Sequence, residues 1–294
     1  MSALVETECP RCRRSVETDA LACGLCGTLL RRERPMPTST PDSTQVIVTT
    51  STPTQAEIAD KYEPWIFLAI GLATAPLLAS TPILQYMGWF IASLVHEMGH
   101  AAMAWLCGMP AIPAISPAGH AAAVHAEQQP LLVAMIGCGL AWAAWRFLNG
   151  PWRFVAIALA AVLYPLLAFT HAKDFFHLVA GHGTELTFAA LCLWKTLDGG
   201  FTSSRLERAL YGTLGWFLLG RNVHLCLGLM RNASARAEYH SNGSFGFTND
   251  YIRVAEDVLS WRLESVALLM LLAALLVVPA AIGFWRYTLA VPRA

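Results

Sequence analysis

Ser93-Leu94-Val95-His96-Glu97-Met98-Gly99-His100-Ala101-Ala102 lies within an apolar run that extends from about residue 83 to residue 107. A run of that length holding a single formal charge reads as a membrane-spanning helix. His96 and His100 fall one turn apart on one face of such a helix, where two imidazoles can hold one Zn²⁺. Glu97 sits beside them, within reach of a water on that ion. Zinc lowers the pKa of its water towards neutrality and a carboxylate can take the proton, so this spacing points to metal-assisted hydrolysis of an amide. Burying a lone carboxylate in hydrocarbon costs several kcal/mol, which a neighbouring dication offsets. The small neighbours Gly99, Ala101 and Ala102 let other helices approach closely.

The surrounding sequence has the same character. The chain has 294 residues, of which 55% are hydrophobic and 14% charged, against roughly 25% charged in an ordinary soluble domain. A single water-soluble globule is therefore excluded. Between Pro64 and Trp145 the formally charged side chains are Glu97 and Glu127. Further apolar runs near 65–80, 130–149, 152–171, 174–196, 208–230 and 264–287 predict, with 83–107, an all-α multi-pass membrane helical bundle of six to seven spans over residues 64–294. The 174–196 run begins among polar residues and carries His177, His182 and Glu185, which makes it the weakest candidate for a full span. The Ala-, Pro- and Gly-containing stretch 108–129 reads as a re-entrant or interfacial loop, and the polar stretch 231–262 as a connection between the last two spans. None of the runs alternates as a membrane barrel strand would. Lys+Arg and Asp+Glu each number 20, and this balance gives no reason to expect a nucleic-acid partner.

A different module precedes the apolar region. Cys9-Pro10-Arg11-Cys12 and Cys23-Gly24-Leu25-Cys26 form two Cys-x-x-Cys pairs. Together they supply the four thiolates of a tetrahedral structural zinc site, and residues 1–34 are expected to fold as a small N-terminal zinc ribbon. A closed four-cysteine shell leaves no open position for catalysis, so its role is folding and contact with a cytosolic partner or a substrate. Residues 35–63, which include a Pro-, Ser- and Thr-rich stretch, read as a flexible linker. Reduced zinc-binding thiols and the arginines 31, 32 and 34 ahead of the first span place the N-terminus in the cytoplasm.

With His96 and His100 inside a predicted transmembrane helix, one span before it and several after, the region 65–200 resembles the site-2 protease family of intramembrane zinc metalloproteases. The resemblance implies a zinc endopeptidase of an integral, bacterial inner-membrane type. It would cut transmembrane or membrane-proximal protein substrates in the lipid bilayer, with His96 and His100 as ligands and Glu97 as general base. Such a protein carries two Zn²⁺ ions, one catalytic and one in the ribbon. The family takes its third ligand from an Asp-Gly element, and Asp198-Gly199 matches it locally. Depth in the membrane favours Glu185 instead, because Asp198 falls at the far end of its span; His182, one turn from Glu185, is a third candidate. Arg221 and His224 interrupt another apolar run and are candidates for stabilising an oxyanion. Two further readings stay open: a non-catalytic zinc-ribbon receptor or scaffold, and an ion-coupled transporter.

Overall fold

The computed structural model describes residues 6–8, 15–17, 55–200, 202, 204–241 and 249–290. The chain divides into two units, residues 1–60 and 61–294. In the first, β1 (Glu6–Glu8) and β2 (Ser15–Glu17) pair antiparallel, with Thr7 opposite Val16. The cysteine quartet Cys9, Cys12, Cys23 and Cys26 lies outside the described residues.

Helix α1 (Gln55–Thr74) begins inside the stretch expected to be linker and runs into a short 3-10 turn at Ala75–Ala79. Helix α2 (Pro82–Leu106) follows, with Thr81 accepting from the Leu84 backbone N–H and Pro82 in the first turn, where its missing N–H costs nothing. The segment expected to be a re-entrant or interfacial loop is instead a hairpin of β3 (Ala111–Ser116) and β4 (His120–His125), with Ala114 opposite Ala122. The β-branched Ile112, Ile115 and Val124 favour the strands, and Gly119 turns between them at a φ of 94°. Among its described residues this unit is thus helical with one strand pair.

Helices α3 (Pro130–Phe147) and α4 (Trp152–Phe169) form an antiparallel pair joined by four residues, 148–151. Next come α5 (Ala172–Asp198) and α6 (Arg205–Arg231). Ser204 caps α6 by accepting from the Glu207 N–H, the first half of a Ser-x-x-Glu capping box. The connection back is short, and Arg208 locks it by donating Nε–H to the Thr196 carbonyl at 2.6 Å and an Nη2 hydrogen to the Leu197 carbonyl at 3.0 Å.

The polar stretch after α6 holds α7 (Ala233–Ser241) and α8 (Asp250–Arg253), the latter continuing into a wider π-type turn at Val254–Leu259. Although polar overall, this stretch buries Tyr251, Ile252, Val254 and Ala255 among the helices. Helices α9 (Leu263–Leu275) and α10 (Val277–Ala290) complete the unit and together form one apolar stretch.

Helix α5 sits at the centre, against α2, α6, α10 and α4, and α6 also packs on α9. Among the described residues, four stretches are long and apolar enough to cross a membrane: Tyr62–Ala79, Pro130–Phe147, Trp152–Phe169 and Leu263–Ala290. At 25, 27 and 27 residues, α2, α5 and α6 have the length but carry more polar side chains. These three helices and the start of α8 build the site.

Candidate metal centre

Helix α2 presents His96 and His100 towards α5, and the two helices meet closely at Gly99. A Cβ there would clash with the Ala180 carbonyl and the Thr184 side chain. That approach brings the second half of the cluster, His177, Gly181, His182 and Glu185, against the first. From α6 comes Asn222, and from the start of α8 comes Asp250.

Three atoms converge. His96 Nε2, His100 Nε2 and Asp250 Oδ2 lie 3.0 Å from one another along all three edges. The other nitrogen of each imidazole is engaged elsewhere: His96 Nδ1 is 2.7 Å from Glu185 Oε1, and His100 Nδ1 is 2.7 Å from the His177 carbonyl oxygen. A carbonyl and a carboxylate only accept, so both Nδ1 atoms donate. In neutral rings both Nε2 atoms then carry lone pairs, and these face each other and a carboxylate oxygen with no hydrogen between them. Three acceptors at this distance repel unless a cation lies among them.

The donor set fits zinc. Imidazole nitrogens and a carboxylate oxygen are its ordinary ligands, and tetrahedral bonds of about 2.0–2.1 Å put ligand atoms roughly 3.3 Å apart. The opposing wall is also kept clear, since a Cβ on Gly181 would lie 2.5 Å from both Nε2 atoms. Gly181 therefore leaves room where a side chain would fill the space beside the nitrogens.

A second group overlaps the first. His96, His182 and Glu185 also offer ligand atoms within metal-binding reach of one another, with His182 Nδ1 3.7 Å from Glu185 Oε1. His96 belongs to both groups but turns opposite nitrogens to them: Nδ1 to Glu185, Nε2 to His100 and Asp250. Glu185 is 2% exposed and does share the site with the histidines, but on the far side of the His96 ring from His100 Nε2. Asn222 lies beneath it, donating to Glu185 Oε2 at 2.6 Å.

Glu97 is buried next to His96 and His100, and the Ala123 backbone on β4 is its hydrogen-bond partner. Asp198 is not part of the cluster. It ends α5, accepts from the Gly200 N–H, and lies 13 residues beyond Glu185 on a continuous helix, roughly 20 Å away. Arg221 and His224 are exposed on α6, while Asn222 between them is buried in the site. His177 adjoins the cluster, its ring centroid 5.1 Å from that of His100.

Asp250 is the residue that spacing along the sequence does not reveal. The signal available was the run Tyr251-Ile252-Arg253-Val254-Ala255, whose apolar positions recur at helical spacing inside a polar stretch and so predict a docked segment next to an acid. Comparison of the chain with family models, with curated proteins and with solved structures finds no match.

Proposed function

We propose that the chain is an integral membrane zinc metalloprotease in which His96, His100 and Asp250 hold the catalytic ion and Glu97 is the general base. The observation that carries this reading is the triangle of His96 Nε2, His100 Nε2 and Asp250 Oδ2, closed by 3.0 Å edges beside a glycine. The site helices lie among four helices long and apolar enough to cross a bilayer, and this supports a substrate that is itself membrane-embedded or membrane-proximal. In this reading α2, α5 and α6 cross as well, giving seven spans.

Bound zinc would polarise the scissile carbonyl and the attacking water. Glu97 takes a proton from that water as its oxygen bonds to the carbonyl carbon, and delivers the proton to the amide nitrogen as the C–N bond breaks. Burial in the bundle keeps bulk water from competing for the carboxylate. Glu185 accepts from His96 Nδ1–H and fixes that ring with Nε2 facing the ion, as carboxylates commonly do for zinc-bound histidine. The third ligand thus differs from Glu185, which depth alone favours, and from the Asp-Gly pattern of the site-2 protease family that the chain resembles. A scaffold explains neither the converging acceptors nor Glu97 beside them. At the other end of the chain, Cys9, Cys12, Cys23 and Cys26 hold a structural zinc, and the ribbon contacts a cytosolic partner or the substrate.

The test is the full chain in detergent, assayed for zinc content and for hydrolysis of fluorogenic transmembrane peptides. Glu97→Gln is expected to keep zinc and lose hydrolysis. A parental chain holding no zinc beyond that of the cysteine quartet would overturn the reading, as would Glu97→Gln protein cleaving at the parental rate.

A further inference from the structure

We infer that Asn222, a residue touching neither the ion's ligand atoms nor Glu97, is the positioning residue that sets the donor pattern of His182 and, through Glu185, the orientation of His96; the inference rests on the zinc reading above. Asn222 is 3% exposed and every polar atom of its amide is engaged. Its two Nδ2 hydrogens go to Glu185 Oε2 at 2.6 Å and to the Leu218 carbonyl at 3.0 Å. Its Oδ1 lies 3.1 Å from His182 Nδ1.

These contacts fix the amide's orientation. Flipping the group would set its oxygen against a carboxylate oxygen and a carbonyl, two acceptors that cannot donate to it. With the orientation fixed, Oδ1 is an acceptor and His182 must donate Nδ1–H to it, which leaves His182 Nε2 as the lone-pair nitrogen. On the other side, the short N–H···O bond holds one Glu185 oxygen so that Oε1 faces His96 Nδ1 at 2.7 Å. His96 then donates through Nδ1 and offers Nε2 to the ion. One side-chain amide on α6 therefore specifies the tautomer of His182 on α5 and holds in place the carboxylate that specifies that of His96 on α2.

The apolar surroundings make this arrangement strict. Asn222 lies between Leu218 and Cys226 on a face of α6 packed against α5, and Leu218 and Cys226 are fully buried. An unpaired polar atom there is penalised more than a pair is rewarded.

The experiment is a Co²⁺ titration of the full chain in detergent, with the ribbon's own zinc retained. The d–d absorption of Co²⁺ ligated by nitrogen and oxygen lacks the sulfur charge-transfer band of a cysteine site, so it reads this centre alone. Asn222→Ala is expected to weaken Co²⁺ binding about 10- to 100-fold, the usual effect of removing a partner that orients a ligand. The same substitution placed on Glu185→Ala should weaken it less than about 2-fold further, because the effect travels through Glu185. Asn222→Asp preserves the shape and removes the donor, and is expected to match Asn222→Ala even where the alanine variant folds poorly. Parental affinity in Asn222→Asp, or an undiminished loss in the Glu185→Ala background, would overturn the inference while leaving the zinc reading intact. A parental chain that binds no Co²⁺ at the nitrogen–oxygen centre would overturn both.

Discussion

Helices α3 and α4 and helix α5 are opposites in composition and in burial, with the signs reversed from those of a water-soluble protein. The first two are almost wholly apolar, yet among them only Val133, Tyr164 and Ala168 are buried, and Leu131, Trp142, Phe147, Phe154 and Leu163 stand exposed. Helix α5 carries Lys173, Asp174, His177, His182, Glu185 and Lys195, yet ten of its residues are buried, His182 and Glu185 among them. In water such an exposed apolar hairpin would be an aggregation hazard. Against hydrocarbon it is the proper surface, and the polar side chains withdraw to the interior, where their burial is costly. Apolarity marks the outside of this protein, and polarity marks its site.

The largest expected break of that contrast is on activity. Glu97→Gln should lower hydrolysis on the order of 1,000-fold, within the range of a lost general base. Leu140→Ala or Trp142→Ala on the exposed face of α3 should change it less than about 2-fold in the same peptide assay. Equal losses at both places would show that the two regions do not divide surface from site.

Next in size is a matched pair of glycines. A Cβ on Gly181 would meet the two Nε2 atoms at 2.5 Å, whereas one on Gly139 in α3 has nothing within 4 Å. Gly181→Ala should weaken zinc about 100-fold or more, measured by chelator competition, through loss of the ion's space and displacement of its ligands. Gly139→Ala should leave it unchanged, and also slightly favour the helix. Retained zinc affinity in Gly181→Ala would mean that the ion does not sit beside this wall.

A smaller effect is expected where the apolar pair does touch the interior. Tyr164 donates its hydroxyl to the Leu106 carbonyl at 2.8 Å, tying α4 to the end of α2. Tyr164→Phe should cost about 1 kcal/mol of stability in a detergent unfolding series, the net value of one such bond. Zinc affinity should stay at the parental level. A loss of zinc would mean that this contact positions the site after all.

Legibility of the sequence follows the same contrast. The apolar runs mark α3, α4 and the α9–α10 stretch because their length and apolarity are continuous along the chain and composition reports them directly. His96, Glu97 and His100 were readable because one helix turn relates them, and periodicity encodes such local geometry. Glu185 and His182 stood out as polar residues in an otherwise apolar run, but which nitrogen of His96 they face depends on the crossing of α2 and α5. Asp250 lies 150 residues from His100, in a stretch whose overall polarity hides four buried side chains. No pattern confined to one helix could place it. The hairpin of β3 and β4 was obscured for a related reason: Ala, Pro and Gly dominate its composition, while pairing between strands decides its shape.

The central claim, that the ion is held by His96, His100 and Asp250, is tested most directly by the affinity of the Asp250→Ala chain for zinc at the nitrogen–oxygen centre. Chelator competition on the full chain should show a loss of about 100-fold or more, since one of three ligands is gone, with Asp198→Ala at the parental value. Parental zinc affinity in Asp250→Ala would contradict the account.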